Sequence, residues 1–130
     1  MKNHMELKQI GIVRSSLTNR WTAPKQGCEG APAAQVVMDP AYGEALQGLR
    51  QGSRVLLFTW LHEADRDTLL VHPRGDESRA MRGVFSTRSP DRPNPIGLHD
   101  VTITDIQGLV LTVEPLEAID GTPVIDIKSM

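Results

Sequence analysis

The sequence predicts a mostly β protein built as one small domain, on three observations. Short apolar or alternating runs recur at strand length, separated by turn signals. A single segment carries helical spacing. No glycine-rich phosphate loop of the GxGxxG or GxxxxGK type is present, which counts against a doubly wound nucleotide-binding fold. Strand runs this closely spaced fit a sandwich or a barrel better than alternating strands and helices.

Residues 10–13 form an apolar run after a polar start and read as the first strand. Residues 15–32 read as loop, punctuated by Pro24, Gly27, Gly30 and Pro32. A connection of this length is usually functional or disordered. Residues 34–38 are the second strand. Asp39 suits a helix N-cap with Pro40 at the first helical position. Tyr42, Ala45, Leu46 and Leu49 follow at helical spacing, so a short amphipathic helix is predicted, stopped at Gly52. Residues 55–61, VLLFTWL, read as a strand buried on both faces. A turn at 65–67 and a short strand at 68–72 come next, then an exposed polar stretch at 76–82. Residues 83–87 are strand-like and lead into the proline-rich SPDRPNPIG. Strands at 101–105 and 109–113 are joined by a hairpin turn at Gln107 and Gly108. Further strands are predicted at 116–119 and, beyond the Asp120-Gly121 turn, at 124–127.

At 130 residues the chain is long enough to bury a core, and its 39% apolar and 23% charged content is that of an ordinary globular protein. Aromatics make up only 4%, so the core must be aliphatic. The formal charge of −2 does not mark a nucleic-acid binder. A basic face is still possible, because Arg74, Arg79, Arg82, Arg88 and Arg92 lie close together. Cys28 is the lone cysteine, so no internal disulfide can form, and no zinc-ligand spacing exists. No apolar run reaches the roughly 20 residues of a membrane helix. The polar residues 1–7 lack the apolar core of a signal peptide. A cytoplasmic protein with no membrane partner and no metal is predicted.

The densest candidate for chemistry is residues 82–97, RGVFSTRSPDRPNPIG. Pro90, Pro93 and Pro95 each fix φ and restrict the residue before them, so this loop is stiff. A stiff loop can hold Arg88, Arg92 and Asn94 in fixed directions, as a binding site requires. Three other segments, WLHE at 60–63, APKQG at 23–27 and IDGTPVIDIK at 119–128, support no function singly. Singly they read as a strand end, a loop and a turn followed by a strand.

Taken together and in order, these segments resemble the TsaA-like family, whose characterised members are the TrmO-type tRNA methyltransferases. The resemblance rests on GIVRS at 11–15, PKQG at 24–27, WLH at 60–62, RGVFSTRSPDRPNPIGL at 82–98 and DGTPVIDIK at 120–128. It spans nearly the whole chain and resembles a short form of the family, without a C-terminal domain. The resemblance implies a small antiparallel β-barrel with one short helix and long loops, assembled as a homodimer. It implies S-adenosylmethionine as cofactor, held by Pro24, Lys25, Gln26, His62, Glu63, Arg88, Leu98, Ile119, Asp120, Gly121 and Thr122. It also implies methylation at N6 of a threonylcarbamoyl-modified adenosine beside the anticodon of tRNA. Arg74, Arg79, Arg82, Arg92 and Asn94 are then the candidates for contact with the RNA. No catalytic residue is assigned. Asp126 is a candidate proton acceptor only as a carboxylate within a signature, and a structural role suits it as well. Two alternatives stay open: a methyltransferase with another nucleobase or small-molecule acceptor, and a non-catalytic S-adenosylmethionine sensor.

Overall fold

The computed structural model describes residues 3–130; residues 1 and 2, which begin the polar stretch at 1–7, lie outside the described residues. Eight strands form: β1 (Gly11–Arg14), β2 (Ala34–Met38), β3 (Arg54–Trp60), β4 (Leu70–Val71), β5 (Arg82–Gly83), β6 (Ile96–Gln107), β7 (Val110–Glu114) and β8 (Pro123–Ser129). Six of them close into an antiparallel barrel in the order β1-β2-β7-β6-β3-β8, and β4 pairs only with β5. Closure leaves the six-stranded sheet without a free edge. The predicted antiparallel barrel is the observed architecture.

Inward-facing side chains fill the barrel. Val13, Val36, Val55, Leu57, Val101, Ile103, Leu111, Val113 and Val124 are each at most 2% exposed. These are branched aliphatic residues at alternate strand positions, as a pleated wall around one core requires. Leu116 and Ala118 join the same cluster, although they belong to no strand.

Four predicted elements take another form. The segment after Asp39 is a 3-10 helix over Pro40–Leu46, not an amphipathic α-helix running to Gly52. The predicted cap does form, since Asp39 Oδ1 accepts from the Ala41 amide at 2.9 Å. Seven residues with Gly43 inside, and Gly48 at φ 97 just beyond, leave little room to nucleate α-helix. Strand β3 is not buried on both faces. Its residues alternate, with Val55, Leu57 and Thr59 inward and Leu56, Phe58 and Trp60 half-buried outside. Residues 84–86 form a 3-10 turn, so only Arg82–Gly83 is strand. Residues 116–119 pair with no strand. Leu116, Ala118 and Ile119 are buried, and the segment is tied to the loop over 15–33 by the Leu116 amide bonded to the Pro32 carbonyl at 2.9 Å and the Asp120 amide to the Leu17 carbonyl at 2.7 Å.

Chain direction sorts the connections between the two ends of the barrel. The C-terminal ends of β1, β3 and β7 and the N-terminal ends of β2, β6 and β8 share one rim. Three connections, 15–33, 61–95 and 115–122, all leave from it. The opposite rim carries residues 39–53 and the Gly108 hairpin. No helix among the described residues is long and apolar enough to cross a membrane.

Candidate functional site

Every candidate cofactor residue except Leu98 lies in the three connections of the first rim, and Leu98 lies near the start of β6 at the same end. Topology alone therefore collects segments that are far apart in sequence. Loops on a rigid barrel are where binding residues commonly sit.

The loop over 15–33 is the hub. Near its start the Leu17 carbonyl holds the Asp120 amide, and Asp120 Oδ1 accepts from the Ser15 amide at 3.1 Å. Farther along, Arg20 donates to the Glu63 carbonyl at 2.7 Å and to Asp91 Oδ1 at 3.0 Å. Gly27 packs directly on Pro115 and Glu117. Glu29 pairs with Arg74, bringing the β4–β5 hairpin alongside. One loop thus touches the Asp120 turn, the end of β3, the proline-rich loop and the arginine-bearing hairpin.

The proline-rich loop is fastened from both sides. Leu61 donates to the Pro95 carbonyl at 2.8 Å and Arg92 to the Asp65 carbonyl at 3.0 Å through backbone amides. Arg66 lies over the Trp60 ring at 4.9 Å and donates to the Pro93 carbonyl at 2.8 Å and to Asn94 Oδ1 at 3.2 Å. The Arg92 guanidinium turns inward and donates to the carbonyls of Val84, Thr87 and Ser89 at 2.7, 3.2 and 2.8 Å. Its geometry is that of a buttress for its own loop.

Lys25, Gln26, His62, Glu63 and Arg88 are exposed, and Pro24 is half-buried. The Arg88 guanidinium reaches the Leu98 carbonyl at 3.4 Å, a long contact. The Leu98 side chain faces outward beside Phe58, with which its residue pairs across the sheet. In the turn, Gly121 takes φ 85. Ile119 and Thr122 point inward, with the Thr122 hydroxyl donating to the Ile119 carbonyl at 2.7 Å. Arg79 and Arg82 are exposed on the hairpin. An open, shallow depression on this rim is lined by Arg14, Ser15, Gln35, Thr112 and Asp120 among others. Asp120 alone joins it to the candidate cofactor set. Among the described residues, no group of three or more His, Cys, Asp or Glu is placed to hold a metal ion.

Sequence reasoning missed a buried polar cluster beneath this rim. His99 on β6 is buried, its Nε2 lies 2.7 Å from Thr59 Oγ1, and its Nδ1 meets the Glu117 carboxylate. Thr59 and His99 occupy inward positions in phase with Val55, Leu57 and Val101, a signal that alternation carries once the strand is set. Arg20, half-buried within the hub loop, gave no signal.

The architecture is a closed antiparallel barrel with three of its connections gathered on one rim, and the relatives of the chain narrow the class of protein. The chain matches the tRNA-methyltransferase O N-terminal domain over residues 12–130, and it belongs to that family. It is 44% identical over 124 residues to a protein of Methanothermobacter thermautotrophicus named "Probable S-adenosyl-L-methionine-binding protein", covering 95% of this chain and 88% of that one. An Archaeoglobus fulgidus protein named "S-adenosyl-L-methionine-binding protein" is 40% identical over 124 residues, with coverage of 95% and 88%. The crystal structure of TrmO from Pseudomonas aeruginosa superposes with a TM-score of 0.78 at 30% identity. That match takes in 100% of this chain but only 56% of the TrmO chain.

Proposed function

We propose that this protein binds S-adenosylmethionine on the loop-bearing rim and transfers its methyl group to N6 of a threonylcarbamoyl-modified adenosine beside the anticodon of tRNA. The observation that carries the reading is the convergence on one rim, in a chain of the TrmO family, of Pro24–Gln26, His62–Glu63, Arg88 and Asp120–Thr122. The donor set suits the cofactor. Exposed Arg88, in long contact with the Leu98 carbonyl, offers a planar fork to a carboxylate. Lys25 and Gln26 present a cation and an amide, and Glu63 presents an exposed carboxylate to an ammonium or hydroxyl.

When bound, the cofactor supplies an activated methyl on sulfonium, so the protein has to bind, orient and exclude water. Orientation of two reactants at near-attack distance is worth up to roughly 7–11 kcal/mol. The backbone and arginine hydrogen bonds that fasten the proline loop on both sides support that role. Exposed Arg79 and Arg82, with Arg74 beside them, form the face on which we place the RNA phosphates, and Asn94 stands at the edge of the proline loop. RNA read in a single-stranded loop is held by such contacts together with base stacking. The homodimer implied by the resemblance is supported by Ile96 and Leu98, 42% and 38% exposed beside Phe58 and Trp60 on the outer face of β3 and β6.

The test is incubation of the protein with S-adenosylmethionine and total tRNA from cells lacking TrmO-type activity. Digested nucleosides are then read by mass spectrometry. N6-methyl threonylcarbamoyladenosine should appear, and Arg88→Ala should lose both the product and the calorimetric binding of cofactor. Tight binding without methylated tRNA would replace this reading with the second one, a cofactor-binding protein with another acceptor or none. The names of the two archaeal relatives, which mention binding alone, favour that second reading.

A further inference from the structure

We propose that the buried Thr59–His99–Glu117 cluster is a positioning relay that fixes the Gln26–Gly27 turn of the cofactor loop against the barrel; its effect on the cofactor rests on the function proposed above. The relay runs outward from the core. Thr59 is fully buried on β3, His99 is 4% exposed on β6, and the Glu117 side chain is 15% exposed in the strandless segment after β7. Glu117 Oε1 meets Nδ1 of His99, so with a neutral ring Nδ1 carries the hydrogen and Nε2 accepts from the Thr59 hydroxyl at 2.7 Å. Each group thereby orients the next, and Glu117 is left with one carboxylate oxygen directed at the hub loop.

Glycines bound the relay at both ends. At the inner end a methyl group on Gly97 would overlap Thr59 Oγ1 and stand 2.7 Å from His99 Nε2. At the outer end a methyl group on Gly27 would stand 3.1 Å from Glu117 Oε2, 3.2 Å from Pro115 Cγ and 3.3 Å from the Pro115 carbonyl. The Gly27 backbone therefore leaves no free space for a side chain between itself and the Glu117 carboxylate and Pro115, immediately after Lys25 and Gln26. The same stretch then turns through its own hydrogen bonds, from the Glu29 amide to the Gln26 carbonyl at 3.0 Å and from the Ala31 amide to the Gly27 carbonyl at 3.3 Å. A buried hydrogen-bonded chain behind a binding loop is how a scaffold holds such a loop to the tolerance that binding needs. No atom of the relay is required to touch the cofactor.

The experiment is amide hydrogen exchange on the full protein without ligand, with cofactor affinity measured by calorimetry, for the wild type, Glu117→Ala, Glu117→Gln and Gly27→Ala. Glu117→Ala should speed exchange at Glu29, Gly30 and Ala31 by about tenfold or more while β2, β3 and β7 amides keep their rates. It should weaken S-adenosylmethionine binding by about fivefold or more. Glu117→Gln retains an acceptor for His99 and should stay within about threefold of the wild type in both readouts. Gly27→Ala pushes from the loop side on the outer Glu117 oxygen and Pro115 while leaving Thr59 and His99 unchanged, so it should reproduce the Glu117→Ala signature even if that variant folds poorly. Exchange that rises uniformly through the barrel, or does not change at Glu29–Ala31, overturns the proposal. Selective loosening of the loop with unchanged cofactor affinity also overturns it. A wild type that binds no S-adenosylmethionine defeats the proposed function instead, and the exchange pattern still decides whether the relay holds the loop.

Discussion

Gly97 sits inside the proline-rich signature, where a sequence reading takes glycine as the end of a loop. In the structure it is the third residue of close packing with Thr59 and His99, and its missing side chain is what lets them meet. Gly97→Ala should cost about 2 kcal/mol or more, at the upper part of the range for overpacked cores. Urea denaturation of the variant checks this, and an unchanged midpoint would mean that β6 shifts freely. Arg92 makes the complementary case. Its three donors match the carbonyls of Val84, Thr87 and Ser89, a fork that lysine cannot reproduce. Arg92→Lys should therefore lose about 1–2 kcal/mol of stability, and the same denaturation series reads it. The sequence marked Arg92 as important through its setting among prolines, but direction was not legible. Whether an arginine faces solvent or its own backbone depends on how the loop closes.

Among the elements, β2 was legible to the residue, because a short, mostly apolar run closely follows Pro32 and is ended by the Asp39-Pro40 pair. β6 was not, although its later half was expected. It starts at Ile96, five residues before the predicted onset. The physical reason is the polar relay, which places Gly97 and His99 inward and Ile96 and Leu98 outward and so inverts the usual alternation of apolar and polar positions. The segment at 116–119 misled for the opposite reason. Its apolar residues are core, but the partner that covers them is an irregular loop rather than a strand. Outside the barrel, β3 and β6 are also joined by Arg54, which donates to both oxygens of Asp100 at 2.9 and 2.6 Å. That guanidinium holds the Asp100 carboxyl below its ordinary range. Because the folded value is the lower one, the pair's contribution is present above the unfolded value, near pH 4, and is lost as pH falls through the folded value. Asp100→Asn should therefore melt slightly below the wild type at neutral pH and together with it at strongly acidic pH. Both groups are exposed, so salt should shrink the neutral difference as well. A gap that persists at low pH would assign it to packing rather than to charge.

At the level of the whole molecule, the two rims of the barrel carry different connections. The opposite rim carries a capped 3-10 turn and a tight hairpin. The loop-bearing rim carries 15–33, 61–95 and 115–122, which hold all but one of the residues that the family resemblance associates with the cofactor. Sequence alone supplied those residues but no reason for them to meet. The reason is strand direction, since each of the three connections leaves and re-enters the barrel at the same end. Ligand binding should reflect this geometry. With S-adenosylmethionine at about 100 times its dissociation constant, the folded state should gain about 2.7 kcal/mol, read as a raised melting temperature. Exchange should slow in the three loops of the first rim and remain as it was at residues 39–53 and at the Gly108 hairpin. Protection centred on the opposite rim would relocate the site, and would detach the family's binding residues from the barrel end to which the chain's topology brings them.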